Sequence, residues 1–157
     1  MRDLRFHSTP AALINIAARV FTRLNDRRLR PLGLTFAQVP VLAALGEGDA
    51  LSQKQLVAVA RIEQPSMAQL LARMERDGLI RRSPSPDDGR VSLISLTESG
   101  LAEVPHVRSA LFLTNDQALR GFSDREIQLL LDLLGRLVTN LDEDLATSTT
   151  EVGHQHS

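Results

Sequence analysis

Apolar residues recur at helical intervals along most of this chain and give way to a shorter period once, near its middle. From Pro10 to about Arg30, Leu13, Ile16, Ala17, Val20, Phe21 and Leu24 share one face behind the start signal Ser8-Thr9-Pro10, which predicts a long first helix. Thr35 and Gln38 have capping-box spacing and predict a second helix through Leu45, bent near Pro40 because the ring removes one intrahelical donor. Gly46-Glu47-Gly48-Asp49 closes it in a loop. Ser52 and Gln55 repeat the capping spacing and predict a short third helix over 52–60. A fourth begins near Gln64-Pro65, buries Met67, Leu70, Leu71 and Met74, and stops at Gly78.

The short-period segment follows directly. Leu79 to Arg82 and Val91 to Leu96 are β-compatible, the second with Val91 and Leu93 on one face and Ser92 on the other before a buried Leu96. Ser83 to Gly89, rich in Pro, Ser, Asp and Gly, is the turn between them. Thr97 then caps a fifth helix from about Glu98 to Arg120, with irregularities expected at Pro105 and at Thr114-Asn115-Asp116. Ser123 and Glu126 form a third capping box, opening a last helix with Ile127, Leu130, Leu134, Leu137, Leu141 and Leu145 in near-heptad register. From Ala146 onward no apolar period remains, and residues 146–157 are expected to be a disordered tail. The fold class is therefore mainly α with a small β-wing: about six helices and one β-hairpin.

Composition removes several alternatives. The 157 residues, 43% of them hydrophobic, suffice for one domain with its own core. The absence of Cys excludes thiol catalysis, Cys-ligated zinc and sulfenate sensing. Apolar runs are broken by charges far short of the roughly 20 residues a membrane span needs, and MRDLRFHSTP has neither an apolar export core nor a cleavage site, so the expectation is a cytoplasmic protein without a membrane partner. The net charge of −1 conceals a gradient: residues 1–53 carry seven Arg against four acids, residues 54–96 carry Lys54 and six Arg against five acids, and residues 97–157 carry four Arg against ten acids. Segregation of this kind suits one face toward phosphates and another toward water or a partner.

Two short helices, the second polar at its start, followed by an arginine-tipped hairpin are the parts of a winged-helix reader of duplex DNA. A recognition helix must offer short polar or planar hydrogen-bonding side chains near its N-terminus, because that end reaches base edges in the roughly 12 Å major groove. Gln64, Ser66, Gln69 and Arg73 meet that requirement; a plain solvated helix face is the alternative, disfavoured by the capped helix before it and the hairpin after it. In Asp87-Asp88-Gly89-Arg90, a carboxylate two residues before Arg90 could orient its guanidinium toward a narrow minor groove, and Arg81 and Arg82 could meet the backbone. A solubilising turn is the alternative there.

The chain resembles the MarR family of bacterial winged-helix transcription factors, and residues 62–80, IEQPSMAQLLARMERDGLI, look most like its SlyA branch. The resemblance runs through LTFAQVPVLAAL at 34–45, SQKQLV at 52–57, the EQPS helix, DGLIRR, the DxR of Asp88 to Arg90, and LTESG at 96–100. It implies a homodimer whose first, fifth and sixth helices interleave, with 10–33 and 98–145 as the helical dimerisation region and 34–97 as the DNA-binding lobe. Leu13, Ile16, Val20, Ile127, Leu130, Leu134, Leu137 and Leu141 would then form the dimer interface. The DNA-binding set would be Ser52, Gln53, Gln64, Pro65, Ser66, Gln69, Arg73, Arg82, Asp88 and Arg90, with Arg90 in the minor groove. Position 69 is commonly Arg in this family, so Gln69 removes a charge. The operator would be a double-stranded pseudo-palindrome with half-sites about 34 Å apart.

Family members commonly release DNA when a small aromatic or phenolic acid enters a cleft between the two lobes. His7, Arg19, Arg23 and His106 are the anion-meeting candidates near such a cleft, with ordinary surface positions as the alternative; Tyr or Trp contacts to the ligand are impossible because the chain has neither. No cofactor, metal or enzymatic activity is expected: there is no Gly-rich phosphate loop or paired-carboxylate motif, and the His154/His156 pair lacks further ligands. A winged-helix module that binds protein without an operator is the competing function.

Overall fold

The computed structural model describes residues 9–152, with side chains through Thr147. Six helices and a small antiparallel sheet succeed one another as α1 (Pro10–Leu29), α2 (Val39–Leu45), β1 (Leu51–Ser52), α3 (Gln53–Ala60), α4 (Gln64–Arg76), β2 (Ile80–Pro84), β3 (Ser92–Leu96), α5 (Glu98–Ala118) and α6 (Asp124–Val152). The chain divides into two compact units, one through Asn115 and the other from Asp116.

In the first unit, the Thr9 side chain accepts from the Ala12 N–H at 3.2 Å and Pro10 occupies the first turn of α1, as the start signal requires. The second helix departs from expectation. It opens as a 3-10 turn at Phe36–Gln38, and α2 proper begins at Val39 with Pro40 in its first turn. There the missing N–H lacks an intrahelical acceptor anyway, so the proline starts the α-helix and does not bend it. Gln38 Oε1 accepts the Thr35 N–H at 2.8 Å, and Asp26 of α1 accepts the Phe36 N–H at 2.7 Å, which ties the turn to the first helix.

Leu29, Leu42, Leu45, Leu56, Met67, Leu71, Met74 and Ile94 are completely or almost completely buried and form the core under α2, α3, α4 and the sheet. Leaving any one of these large side chains in water would forfeit roughly 1.5–3 kcal/mol, so the amphipathic α4 stripe holds the helix in place. Asn25 and Thr114 are buried polar groups, and Thr114 Oγ1 lies 2.7 Å from Asn25 Oδ1 while accepting from the Arg28 guanidinium. The polar character of Thr114 thus reflects a partnered buried site and no break in α5, which also runs uninterrupted through Pro105 and ends at Ala118.

The sheet has three strands in the order β1-β3-β2, so the hairpin is joined by a third strand that its two-residue length hid. Leu51 pairs with Ile94 and Ser52 with Leu93. In the hairpin, Ile80 pairs with Leu96, Arg81 with Ser95 and Arg82 with Ile94. Two sequence expectations need correction. The buried face of β3 is Ile94 and Leu96, while Val91 is exposed and precedes the strand. Ser83 and Pro84 belong to β2, where a proline is tolerated because the strand is an edge.

In the second unit, the Ser123 N–H donates to Glu126 Oε2 at 2.8 Å and the Glu126 N–H to Ser123 Oγ at 3.3 Å, a reciprocal cap that starts α6. The helix continues to Val152, so residues 146–152 are helical and the expected tail begins too early; residues 153–157, with His154 and His156, lie outside the described part, as does His7. Ala146 to Val152 contain neither Gly nor Pro, and loss of apolar period marks the end of an apolar face, not the end of a helix. Between Asp124 and Thr147 no side chain of α6 is buried.

Candidate nucleic-acid interface

The site is built on three starts: α3, α4 and the wing. Ser52 caps α3, accepting from the Gln55 N–H at 3.3 Å while its own N–H donates to Gln55 Oε1 at 2.8 Å. Gln53, in the first turn of α3, donates through Nε2 to Gln64 Oε1 at 3.0 Å. The two helix starts are thereby joined by one amide pair.

Glu63 precedes α4 without a side-chain cap, and Pro65 supplies no N–H, so the amides of Gln64 and Ser66 remain at an open helix start. Ser66, Gln69 and Arg73 are spaced i, i+3 and i+7 and form one exposed stripe, opposite the buried Met67, Leu70, Leu71 and Met74. Gln64 and Pro65 are exposed as well. The turn from α3 to α4 passes through Arg61 at φ 53°, a left-handed conformation that ends α3.

Gly78, at φ 74°, ends α4 and releases the chain into β2. At the wing tip, the Ser85 N–H donates to Val91 O at 2.8 Å and the Val91 N–H to Asp88 O at 2.9 Å. Asp88 Oδ1 accepts the backbone N–H of Arg90 at 3.0 Å. This corrects the expected contact: Asp88 shapes the turn that presents Arg90 and does not grip its guanidinium. Arg81 Nε donates to Ser95 Oγ at 3.2 Å, and Arg82 Nε to Glu75 Oε2 at 3.1 Å, so both wing-base arginines have protein partners. Glu75 and Ser95 carry no signal in the sequence because no local spacing connects them to these arginines.

Arg73 has a second neighbourhood. With Thr22, Asp26, Gly33, Thr35, Ala37, Gln38, Leu70 and Asp77 it lines a cleft of about 360 Å³ between α1 and α4. Arg19, Arg23 and His106 are not among the lining residues; His106 Nδ1 lies 3.4 Å from Glu103 Oε2 on α5 and is mostly exposed. Among the described residues no helix is long and apolar enough to cross a membrane.

An open polar helix start held against a capped partner helix, with a hairpin projecting beside it, defines a winged helix-turn-helix protein of the transcription-regulator class. The MarR family model matches residues 32–91. A probable transcriptional regulator from Pseudomonas aeruginosa is 32% identical, with 85% of this chain and 99% of that chain covered at a TM-score of 0.77. The chain belongs to the MarR family. The transcriptional regulator SlyA is similar at 25% identity over 88% of this chain and 97% of that one, with a TM-score of 0.81. A mutant MarR from E. coli, solved in complex with operator DNA, shares the fold at 24% identity, over 81% of this chain and 91% of that one, with a TM-score of 0.75.

Proposed function

We propose that this protein is a DNA-binding transcriptional regulator, acting as a repressor, that reads a pseudo-palindromic operator as a homodimer. The observation that carries the reading is the Ser66, Gln69, Arg73 stripe running from the open start of α4, with Arg90 presented at the wing tip. In this reading Gln64, Ser66 and Gln69 meet base edges and phosphates, Ser52, Gln53 and Pro65 set their approach, and Arg90 enters the minor groove with Asp88 holding its turn. The E. coli relative bound to operator DNA supports the same use of the fold here.

Dimerisation is supported by apolar side chains that remain in water on the single chain. Leu13, Ile16 and Val20 of α1 and Leu134 and Leu141 of α6 are exposed, with Ile127, Leu130 and Leu137 only partly covered. Apolar side chains left in water on each of these helices call for a second copy. We assign residues 10–33 and 98–145 to dimerisation, together with the helical extension to Val152, and 34–97 to DNA binding. The effector, a small aromatic or phenolic acid, is assigned to the cleft lined by Arg73. An acid paired with that guanidinium would favour the geometry in which Arg73 is withdrawn from DNA, the differential affinity that release requires.

The test is a salt series on duplex taken from upstream of the gene. Phosphate contacts make log affinity fall linearly with log salt, with a slope of about −0.9 per phosphate neutralised, and Arg90→Ala is expected to cost about 1–3 kcal/mol of operator binding. A chain that ignores every duplex in dilute buffer is instead a protein-binding winged helix, and undiminished binding by the Arg90 variant removes the wing from the interface.

A further inference from the structure

The two wing-base arginines are chemically equal in the sequence but not in their surroundings. Arg81 lies across from Ser95 and bonds to it. Arg82 pairs with Ile94 and therefore stands on the sheet face that carries the buried Ile80 and Ile94. From that face its Nε reaches Glu75 Oε2 on α4 at 3.1 Å, with the two side chains 32% and 43% exposed. Arg90 differs from both, since Asp88 engages its backbone.

Resting on the regulator reading above, we propose that Glu75 and Arg82 form a strut that fixes the pitch of the wing against the recognition helix, making Glu75 a positioning residue for Arg90. The need for a strut follows from the connection. Helix α4 and strand β2 are separated by a left-handed glycine, Gly78, with only Leu79 before the strand. The Glu75–Arg82 pair spans that bend from one side to the other. Arg90 at the far end of the hairpin must enter one groove while α4 lies in the next, so freedom at the bend is lost on binding and lowers affinity. A guanidinium already paired with a carboxylate adds no net charge, so Arg82 in this arrangement releases no counterion from DNA. The strut thus assigns Arg82 a role different from the phosphate contact that its sequence position offers.

The experiment uses the full chain with operator duplex over a salt series, for Glu75→Gln, Arg82→Gln and the double variant. Each single variant is expected to bind about two- to fivefold more weakly, the range for an exposed pair, with the double variant no weaker than either single. The salt slope should stay at the wild-type value, and in an Arg90→Ala background neither substitution should weaken binding further. A slope shallower by about 0.9 in Arg82→Gln would show that this arginine neutralises a phosphate, and tighter binding by Glu75→Gln would show that the carboxylate merely repels DNA. Either result overturns the strut while leaving the regulator intact; failure of the unmodified chain to bind any duplex overturns both.

Discussion

The hydroxyl of Thr97 donates to the carbonyl of Gly78 at 2.6 Å and accepts the N–H of Gly100 at 3.1 Å. One side chain therefore ties the turn after α4 to the start of α5. The Thr97 N–H adds a bond to Leu79 O at 3.0 Å. Thr97→Val keeps the shape and removes these two bonds together with the 3.4 Å hydroxyl contact to Ser99, and is expected to lower unfolding stability by about 1–2 kcal/mol, the range for a lost N-cap. Thr97→Ser should recover most of it. Urea midpoints at unchanged slope measure the difference.

Gly100 sits where α5 comes down on the wing base. A Cβ there would lie 2.1 Å from the Leu79 carbonyl oxygen, a backbone atom already committed to Thr97. Gly100→Ala must push α5 and β2 apart, at a cost of about 3 kcal/mol. The expected outcome is a lower melting temperature in scanning calorimetry. A variant that melts with the wild type would mean that the helix start relocates freely.

These contacts mark what the sequence discloses. Thr35/Gln38, Ser52/Gln55 and Ser123/Glu126 are readable because a cap is a local interaction with fixed spacing, and the Met67, Leu70, Leu71, Met74 stripe because burial imposes a helical period. Strand β1 is not readable: Leu51 and Ser52 are strand only through pairing with Ile94 and Leu93, far along the chain. The Glu75–Arg82 pair is hidden by the intervening chain reversal. Asp88 stands out in the turn sequence but its bonding does not, because the choice between a backbone N–H and a guanidinium depends on the turn geometry. In α6, periodicity locates the apolar face but misplaces the end, which depends on backbone propagation through 146–152.

The amide pair between Gln53 and Gln64 links two helix starts by a 3.0 Å bond. Gln53→Ala should free the Gln64 side chain and weaken operator binding by about 0.5–1.5 kcal/mol, the net worth of one hydrogen bond. If the pair acts as a unit, Gln53→Ala and Gln64→Ala will be clearly less than additive in a double-mutant cycle on operator affinity. Additive losses would assign the two amides separate partners on DNA.

Acid should act on α6 through Glu126. The Ser123 backbone N–H, then the Ser123 hydroxyl, stabilise the charged carboxylate and hold its pKa below the ordinary 4.5. A depressed folded value means that this cap stabilises the helix above the unfolded pKa and is lost as pH falls through the folded one. Protection factors of the amides at the α6 start, each referred to the intrinsic exchange rate at the same pH, should therefore be constant around neutral pH and fall on acidification below the ordinary carboxylate range. Glu126→Gln should remove that acid-dependent change, and persistence of the full response would assign it to another carboxylate.

The apolar face of α6 provides the most direct test of assembly. Leu134 is 39% exposed on the single chain and lies mid-helix between Leu130 and Leu137 or Leu141, at coiled-coil-like intervals. In a monomer, Leu134→Asp would place a charge on an already wet surface and change stability by no more than about 0.5 kcal/mol. In a dimer seam it would bury an unpaired carboxylate twice, once in each subunit, because a twofold interface repeats every residue. The expected result is dissociation to monomer or aggregation in sedimentation analysis, together with loss of operator affinity, since the proposed operator, with half-sites about 34 Å apart, requires two linked readers. A variant that sediments as a stable dimer would exclude this helix face from the interface.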